Sequence, residues 1–223
     1  MSVQQPHTPT IQRELAARIV ASVAQPTSAR TTPGLYQQLL RLLAAGRPVS
    51  LAELADASGR PPSEIEEAVA AWADAEYDEQ GRIIGHGLTL KPTPHSFLID
   101  GARLYTWCAL DTLFFPAVLG LAAEVESPCP ATGHAIRLRV DPTAGISALT
   151  PPSAVVTVVA PQRPSSLRAE FCDPGRFFAS ADAARPWQNA HPGMSILSVA
   201  DAYEISRPLA ATLTSSDGPS VCC

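Results

Sequence analysis

Between residues 35 and 90 the chain carries helix start and stop signals so closely spaced that only short helices fit between them. Leu35, Leu39, Leu40, Leu42 and Leu43 recur at helical spacing, and Gly46 stops the pattern. The break before it, Thr31-Thr32-Pro33-Gly34, offers Thr or Pro as the start of that helix. Ser50 with Glu53 three residues later is a capping box, in which side chain and backbone satisfy each other's orphan amides, and Gly59 ends the helix it opens. Ser63 with Glu66 reads as another box, opening a third helix through Ile65, Ala68, Val69 and Trp72. Tyr77 to Leu90 then reads as a hairpin, with Gln80-Gly81 at its turn and Ile83, Ile84 and Leu88 in strands. Three short helices followed by a hairpin form a winged helix-turn-helix pattern.

Such modules usually place the third helix in the major groove of DNA and set basic residues on phosphates. Here that helix is expected to carry Glu64, Glu66, Glu67, Asp74 and Glu76, and Arg60 is the only cation between Ser50 and Gln80. A face that acidic repels phosphate, so the module reads as a scaffold or lid.

The texture changes after Lys91. His95 to Ile99 reads as a strand, Asp100-Gly101 as a turn, and Arg103 to Thr106 as extended chain. Cys108 to Leu119 has helical spacing, with Pro116 bending or ending it. Ala135 to Val140 and Val155 to Val159 read as strands, Leu167 to Phe171 as a helical turn, and Asp201 to Leu213 as a final helix interrupted by Pro208. Upstream, Ile11 to Val23 is one amphipathic helix. The division expected is residues 1–34 as an N-terminal helix and linker, 35–90 as the winged-helix-like module, 91–214 as a catalytic part, and 215–223 as a flexible tail ending in Cys222-Cys223.

A hydrophobic content of 46% over 223 residues is that of a globular chain with a real core. The net charge of −5 weighs against nucleic acid and acidic membranes as partners. The longest apolar run, Trp107 to Ala123, is broken by Asp111 and Pro116, so no membrane span is expected. The first ten residues hold no apolar stretch of the secretory kind, which gives a cytoplasmic address as the expectation. Five cysteines, an odd and widely spaced set, then read as free thiols: Cys108, Cys129, Cys172, Cys222 and Cys223.

Which of those thiols react is the chemical question. In Cys108-Ala109-Leu110-Asp111 the helical spacing sets thiol and carboxyl about 300° apart, on one face and about a turn from each other. Tyr105, Trp107, Leu110, Phe114 and Phe115 surround the pair with apolar and aromatic groups. Desolvation favours a protonated carboxyl, and a protonated Asp beside a thiol is a general acid aimed at whatever the thiol holds. Cys172, in Phe171-Cys172-Asp173-Pro174-Gly175, reads as a turn residue and so as an available ligand or nucleophile. Cys129, ringed by Pro128, Pro130 and Gly133, reads as structural. Zinc is a weak fit: Cys108, Cys129, His134 and Cys172 are conceivable ligands, but no pair has the close spacing of structural zinc sites. Isolated thiols in an apolar pocket suit softer metals. No G-x-S-x-G, phosphate loop or dinucleotide fingerprint occurs.

The segment from Arg103 to Leu113 closely resembles the active-site segment of the organomercurial (alkylmercury) lyases. Further matches follow in the same order: Gly46 to Ser50, Glu76 to Asp78, Ile84 to Leu90, Cys129 to Gly133, and Phe171-Cys172 with Phe177 to Ser180. The resemblance covers about residues 35 to 205. It implies an α+β fold, with a winged-helix-like N-terminal part joined to a catalytic part of small antiparallel sheets and helices. It also implies protonolysis of a carbon–mercury bond, with Cys108 and Cys172 binding mercury, Asp111 handling the proton, and Cys129 serving structure. No bound cofactor is expected; external thiols help remove Hg(II), and mercuric reductase is the expected acceptor. Two features depart from the family pattern. Residue 173 is Asp where some members have a second Cys, and the Cys222-Cys223 pair is extra, placed as an Hg(II) shuttle would be. The rival expectation is a thiol-based, metal-sensing winged-helix transcription regulator.

Overall fold

Four helices lead into the sheets. The computed structural model describes residues 8–23, 34–160 and 165–214, so the tail with Cys222 and Cys223 lies outside the described residues. Helix α1 (Thr8–Val23) is followed by α2 (Leu35–Leu43), α3 (Leu51–Ser58) and α4 (Pro62–Ala70). One face of α2 buries Leu35, Tyr36, Leu39, Leu40 and Leu43. Its N-cap is Gly34, in the left-handed region, rather than the expected Thr or Pro. Ser50 and Glu53 form the expected reciprocal box at the start of α3, and Gly59, at φ 65°, closes it. The second expected box does not form. Pro61 is the N-cap of α4 and Pro62 its first residue, so Ser63 already lies inside the helix. Two prolines with fixed φ and no amide to satisfy nucleate the first turn without a side-chain cap. Helix α4 ends at Ala70, so Asp74 and Glu76 stand beyond it and are not part of its acidic face.

The hairpin is present and runs further than its sequence signals suggest. Strand β1 (Glu76–Tyr77) turns at Gly81 into β2 (Ile83–His86), and β2 turns at Gly87 into β3 (Leu88–Thr89). Strand β3 then pairs with β5 (Ala102–Thr106), with Leu88 opposite Thr106 and Thr89 opposite Tyr105. The result is one antiparallel sheet of eight strands in the order β1-β2-β3-β5-β4-β6-β7-β8, completed by β4 (His95–Ile99), β6 (Ala123–Pro128), β7 (Ala135–Asp141) and β8 (Gly145–Thr150). A second, three-stranded sheet has β9 (Val155–Val158) between β10 (Phe177–Phe178) and β11 (Ser195–Ser198). The fold is α+β, as expected.

Helix α5 (Ala109–Leu119) is the centre of the molecule, with every residue buried except Ala117. It contacts α2, α7 (Val199–Thr214) and strands of both sheets. Pro116 neither ends nor breaks it; the helix runs on to Leu119 and stops at Gly120, at φ 72°. Packing on all sides outweighs the one backbone bond a proline removes. Pro208 is likewise inside α7. Helix α6 (Ala181–Ala190) and the short π-helical turn Arg168–Cys172 complete the C-terminal half. Among the described residues no helix is long and apolar enough to cross a membrane.

Candidate active site

Strand β5 and helix α5 meet at Cys108, whose backbone is still extended (φ −137°, ψ 167°). The thiol is therefore the N-cap of α5 and not, as its spacing suggests, a residue on the helix face. Its Sγ accepts a hydrogen bond from the Asp111 amide at 3.4 Å, and the Cys108 amide donates to Asp111 Oδ2 at 3.2 Å. Thiol and carboxyl together make a capping box, the device that Ser and Glu build at Ser50. Thr106 Oγ1 donates to the Cys108 carbonyl at 2.9 Å and pins the corner from the strand side.

Cys172 closes the π-helical turn. Its sequence context predicts an accessible turn; instead it is 1% exposed, as is Cys108, and Asp111 is fully buried. Gly175 brings the two segments together. Its carbonyl accepts from the Ala109 amide at 2.9 Å, and its own amide donates to the Cys172 carbonyl at 2.9 Å. A Cβ at residue 175 would lie 3.1 Å from Cys108 Cβ and 3.2 Å from the Cys172 carbonyl oxygen, so the approach depends on glycine. The Cys108 thiol, the Cys172 thiol and a carboxylate oxygen of Asp111 all lie within 4.8 Å of one another. Among the described residues this is the one group of metal-ligating side chains gathered so closely. Neither Cys129 nor His134 joins it, and Asp173 is exposed outside it.

Burial pushes the Cys108 thiol well above its ordinary pKa, reinforced by its hydrogen bond with Cys172 and by the nearby Asp111 and Cys172 charges. The Asp111 amide acts in the opposite sense and is the lesser effect. Cys108 therefore keeps its proton at neutral pH until something that binds sulfur displaces it. Cys129 behaves differently. Burial raises its thiol too, but the Thr132 hydroxyl and the amides of Ala179, Ala131 and Thr132 outweigh that and hold it below the ordinary value. Its backbone is tied into the turn by bonds from its amide to the His134 carbonyl and from Gly133 to its own carbonyl, both 2.8 Å.

Sequence profiles and relatives agree on what this arrangement belongs to. The profile described as alkylmercury lyase matches residues 88–211, and one described as the helix-turn-helix domain of alkylmercury lyase matches residues 14–87. An alkylmercury lyase of Streptomyces lividans is 48% identical over 211 residues, covering 95% of this chain and 98% of that protein. The chain belongs to the alkylmercury lyase family. Another member, from Staphylococcus epidermidis, is 45% identical over 191 residues, covering 85% of this chain and 88% of its own. A solved structure titled the mercury-bound form of MerB2 shares the fold, with a TM-score of 0.70 over 92% of this chain and 99% of that one, at 22% identity.

The alkylmercury lyase core of this chain also uses residues whose roles the matched segments do not spell out. Trp107, next to Cys108, is 2% exposed, packs at a 43° tilt against His86 with centroids 5.0 Å apart, and lies under the Arg168 guanidinium, whose carbon is 5.0 Å from the ring centre. His86 in turn meets Tyr36 and Trp72 edge-on. Two aromatic neighbours thus come from the helical module. Phe114, expected in the wall around the thiols, lines a separate cavity of about 260 Å³ between α5 and α7 together with Tyr203, Ala210 and Thr214. Thr106 and Gly175 act through a hydroxyl bond and the absence of a side chain, neither of which carries a sequence signal.

Proposed function

We propose that the protein cleaves carbon–mercury bonds by protonolysis, with Cys108 and Cys172 as mercury ligands and Asp111 as the proton carrier. The reading is carried by three buried groups, two thiols and a carboxyl, within 4.8 Å of one another. The step balances as R–Hg–X plus two thiols giving R–H, HX and mercury held by two thiolates. One thiol proton leaves with X. The other passes through Asp111 to the carbon, which becomes more basic as two sulfurs donate electron density to mercury. Asp111 Oδ2 already lies on the Cys108 amide, so its carboxyl is oriented beside the sulfur before substrate arrives. Mercury is divalent throughout, so the reaction moves protons and ligands and no electrons from a cofactor.

The high pKa of Cys108 fits this order of events. A thiol that stays protonated in the free enzyme gives up its proton only as the metal–sulfur bond forms, and the carboxyl is there to take it. Trp107 and Leu110, buried beside the pair, help keep water from the reacting bond. Hg(II) left on two buried thiolates leaves by exchange with two external thiols, which restores both protons. The proposed enzyme is cytoplasmic, serves mercury detoxification and hands the released ion to mercuric reductase.

The test is headspace detection of benzene from a phenylmercury salt with excess small thiol. Cys108→Ser and Cys172→Ser should each abolish release, and Cys129→Ser should lower the melting temperature while leaving turnover per folded molecule within about twofold. Full turnover by purified Cys172→Ser would remove the two-thiolate mechanism.

A further inference from the structure

Cys172 is held from two sides, and the second comes from the helical module. The turn that carries the thiol spans only Arg168–Cys172, with a hydrogen bond from the Asp173 amide back to the Arg168 carbonyl at 2.8 Å. A single π-helical turn has little stability of its own, because nucleating so short a helix costs more than its few bonds return. Its residue Leu167 provides no side-chain cap. After the thiol, Gly175 ties the chain to the first turn of α5. Before it, the capping group is supplied by Asp74, a half-buried residue between α4 and β1.

Asp74 uses both oxygens. Oδ1 accepts from the Ser166 hydroxyl at 2.7 Å, and Oδ2 accepts from the amides of Leu167 at 2.9 Å and Arg168 at 3.4 Å. Two residues on, the buried Glu76 takes Arg168 Nη1 on Oε1, and Oε2 accepts from Trp107 Nε1 at 3.4 Å and from Thr89 Oγ1. Gly85 leaves the room for that carboxylate, since a Cβ there would stand 2.4 Å from Glu76 Oε2. Two of the acidic residues that make this region unfit for DNA, Asp74 and Glu76, are therefore turned inward, onto the peptide that presents a thiol, while Glu64, Glu66 and Glu67 stay exposed.

We infer that Asp74 is a positioning residue for the Cys172 thiol, fixing from the helical module the start of the turn whose last residue binds mercury. The inference rests on the proposed role of Cys172 as a mercury ligand. Two sulfurs sharing one metal tolerate little displacement, and a shift of a fraction of an ångström in one of them costs rate before it costs fold.

The experiment compares Asp74→Ala and Asp74→Asn, measuring kcat for benzene release and, without substrate, the rate of iodoacetamide labelling at each cysteine by peptide mass mapping. Asp74→Ala should lower kcat about tenfold. It should also speed labelling of Cys172 about tenfold, as the turn opens locally, with labelling of Cys129 unchanged. Asp74→Asn should restore most of both, because its amide oxygen still accepts from Leu167 and its amide nitrogen can donate to Ser166 Oγ. Should Asp74→Ala fail to fold, Ser166→Ala, which removes the Oδ1 bond together with the one that Ser166 Oγ accepts from the Ala169 amide at 3.0 Å, gives the comparison when read against Asp74→Asn. Wild-type kcat with unchanged Cys172 labelling would overturn the inference; so would equal acceleration at Cys172 and Cys129, which means general loosening. Labelling is read without turnover, so an active Cys172→Ser enzyme would cancel the functional reading and leave the labelling result standing.

Discussion

Replacing Gly175 with alanine tests whether the approach of the two thiol-bearing segments sets the rate. The added methyl would sit 3.1 Å from Cys108 Cβ and 3.2 Å from the Cys172 carbonyl oxygen, where carbon contacts normally settle at about 3.5–4.0 Å. Relief requires a few tenths of an ångström of movement. One neighbour is the N-cap of a helix buried on all sides, so the displacement falls on the Cys172 turn. Overpacking of this kind costs about 1–3 kcal/mol. In a chain of this size each kcal/mol lowers the melting temperature by about 2–4 °C. Activity should fall further than stability predicts, by about tenfold to a hundredfold in kcat/KM at a temperature where the variant is fully folded, because the thiol pair is spread. Benzene release and a thermal melt on one preparation give both numbers. A variant with the full melting penalty and wild-type kcat/KM would refute the reasoning, since the strain would then have been absorbed without moving the sulfurs.

Asp111→Asn should keep the capping bond from the Cys108 amide, bind phenylmercury, and lose about 10²–10⁴-fold in hydrocarbon release; intact-protein mass spectrometry should find the phenylmercury adduct persisting. Normal release would move the proton role elsewhere. For pH, the Cys108 thiol has a folded-state pKa above the ordinary 9.0, so its contribution to stability is complete below about pH 9 and is lost as pH climbs through the folded value. The melting temperature of Cys108→Ser should therefore decline less steeply above pH 9 than that of the parent, and parallel declines would contradict the burial effect.

The helical half was legible where one signal acted alone. Gly46, Gly59 and the Ser50–Glu53 pair mark boundaries that the structure keeps, whereas at Ser63 the adjacent prolines supplied a stronger start and displaced the box. Strand β6 went unread although Ala123, Val125 and Ser127 face inward and Glu124 and Glu126 outward, since its small and charged residues have weak strand preference. Helix α6 was hidden by Pro186 within it. At the site, the spacing of Cys108 and Asp111 was visible but its meaning was not: cysteine is an unusual N-cap, so a capping box written with sulfur passed for a helix face. The burial of Cys172 is set by Gly175 and Asp74 acting across the fold, and no local pattern encodes it.

The two family profiles meet at residues 87 and 88, which is the tight turn between β2 and β3. A seam in sequence thus falls inside a single ladder of backbone bonds, with β3 stitched to β2 on one side and to β5 on the other. The halves share backbone pairing, Gly85 with Thr89 and His86 with Leu88, as well as side-chain contacts. Cut there, the catalytic fragment would present β3 as an unpaired edge that invites association with other copies, and it would lose its capping carboxylates. Whatever ancestry the helix-turn-helix unit has, it is now spliced into the enzyme, and amide exchange across β2, β3 and β5 should report one opening event shared by both halves.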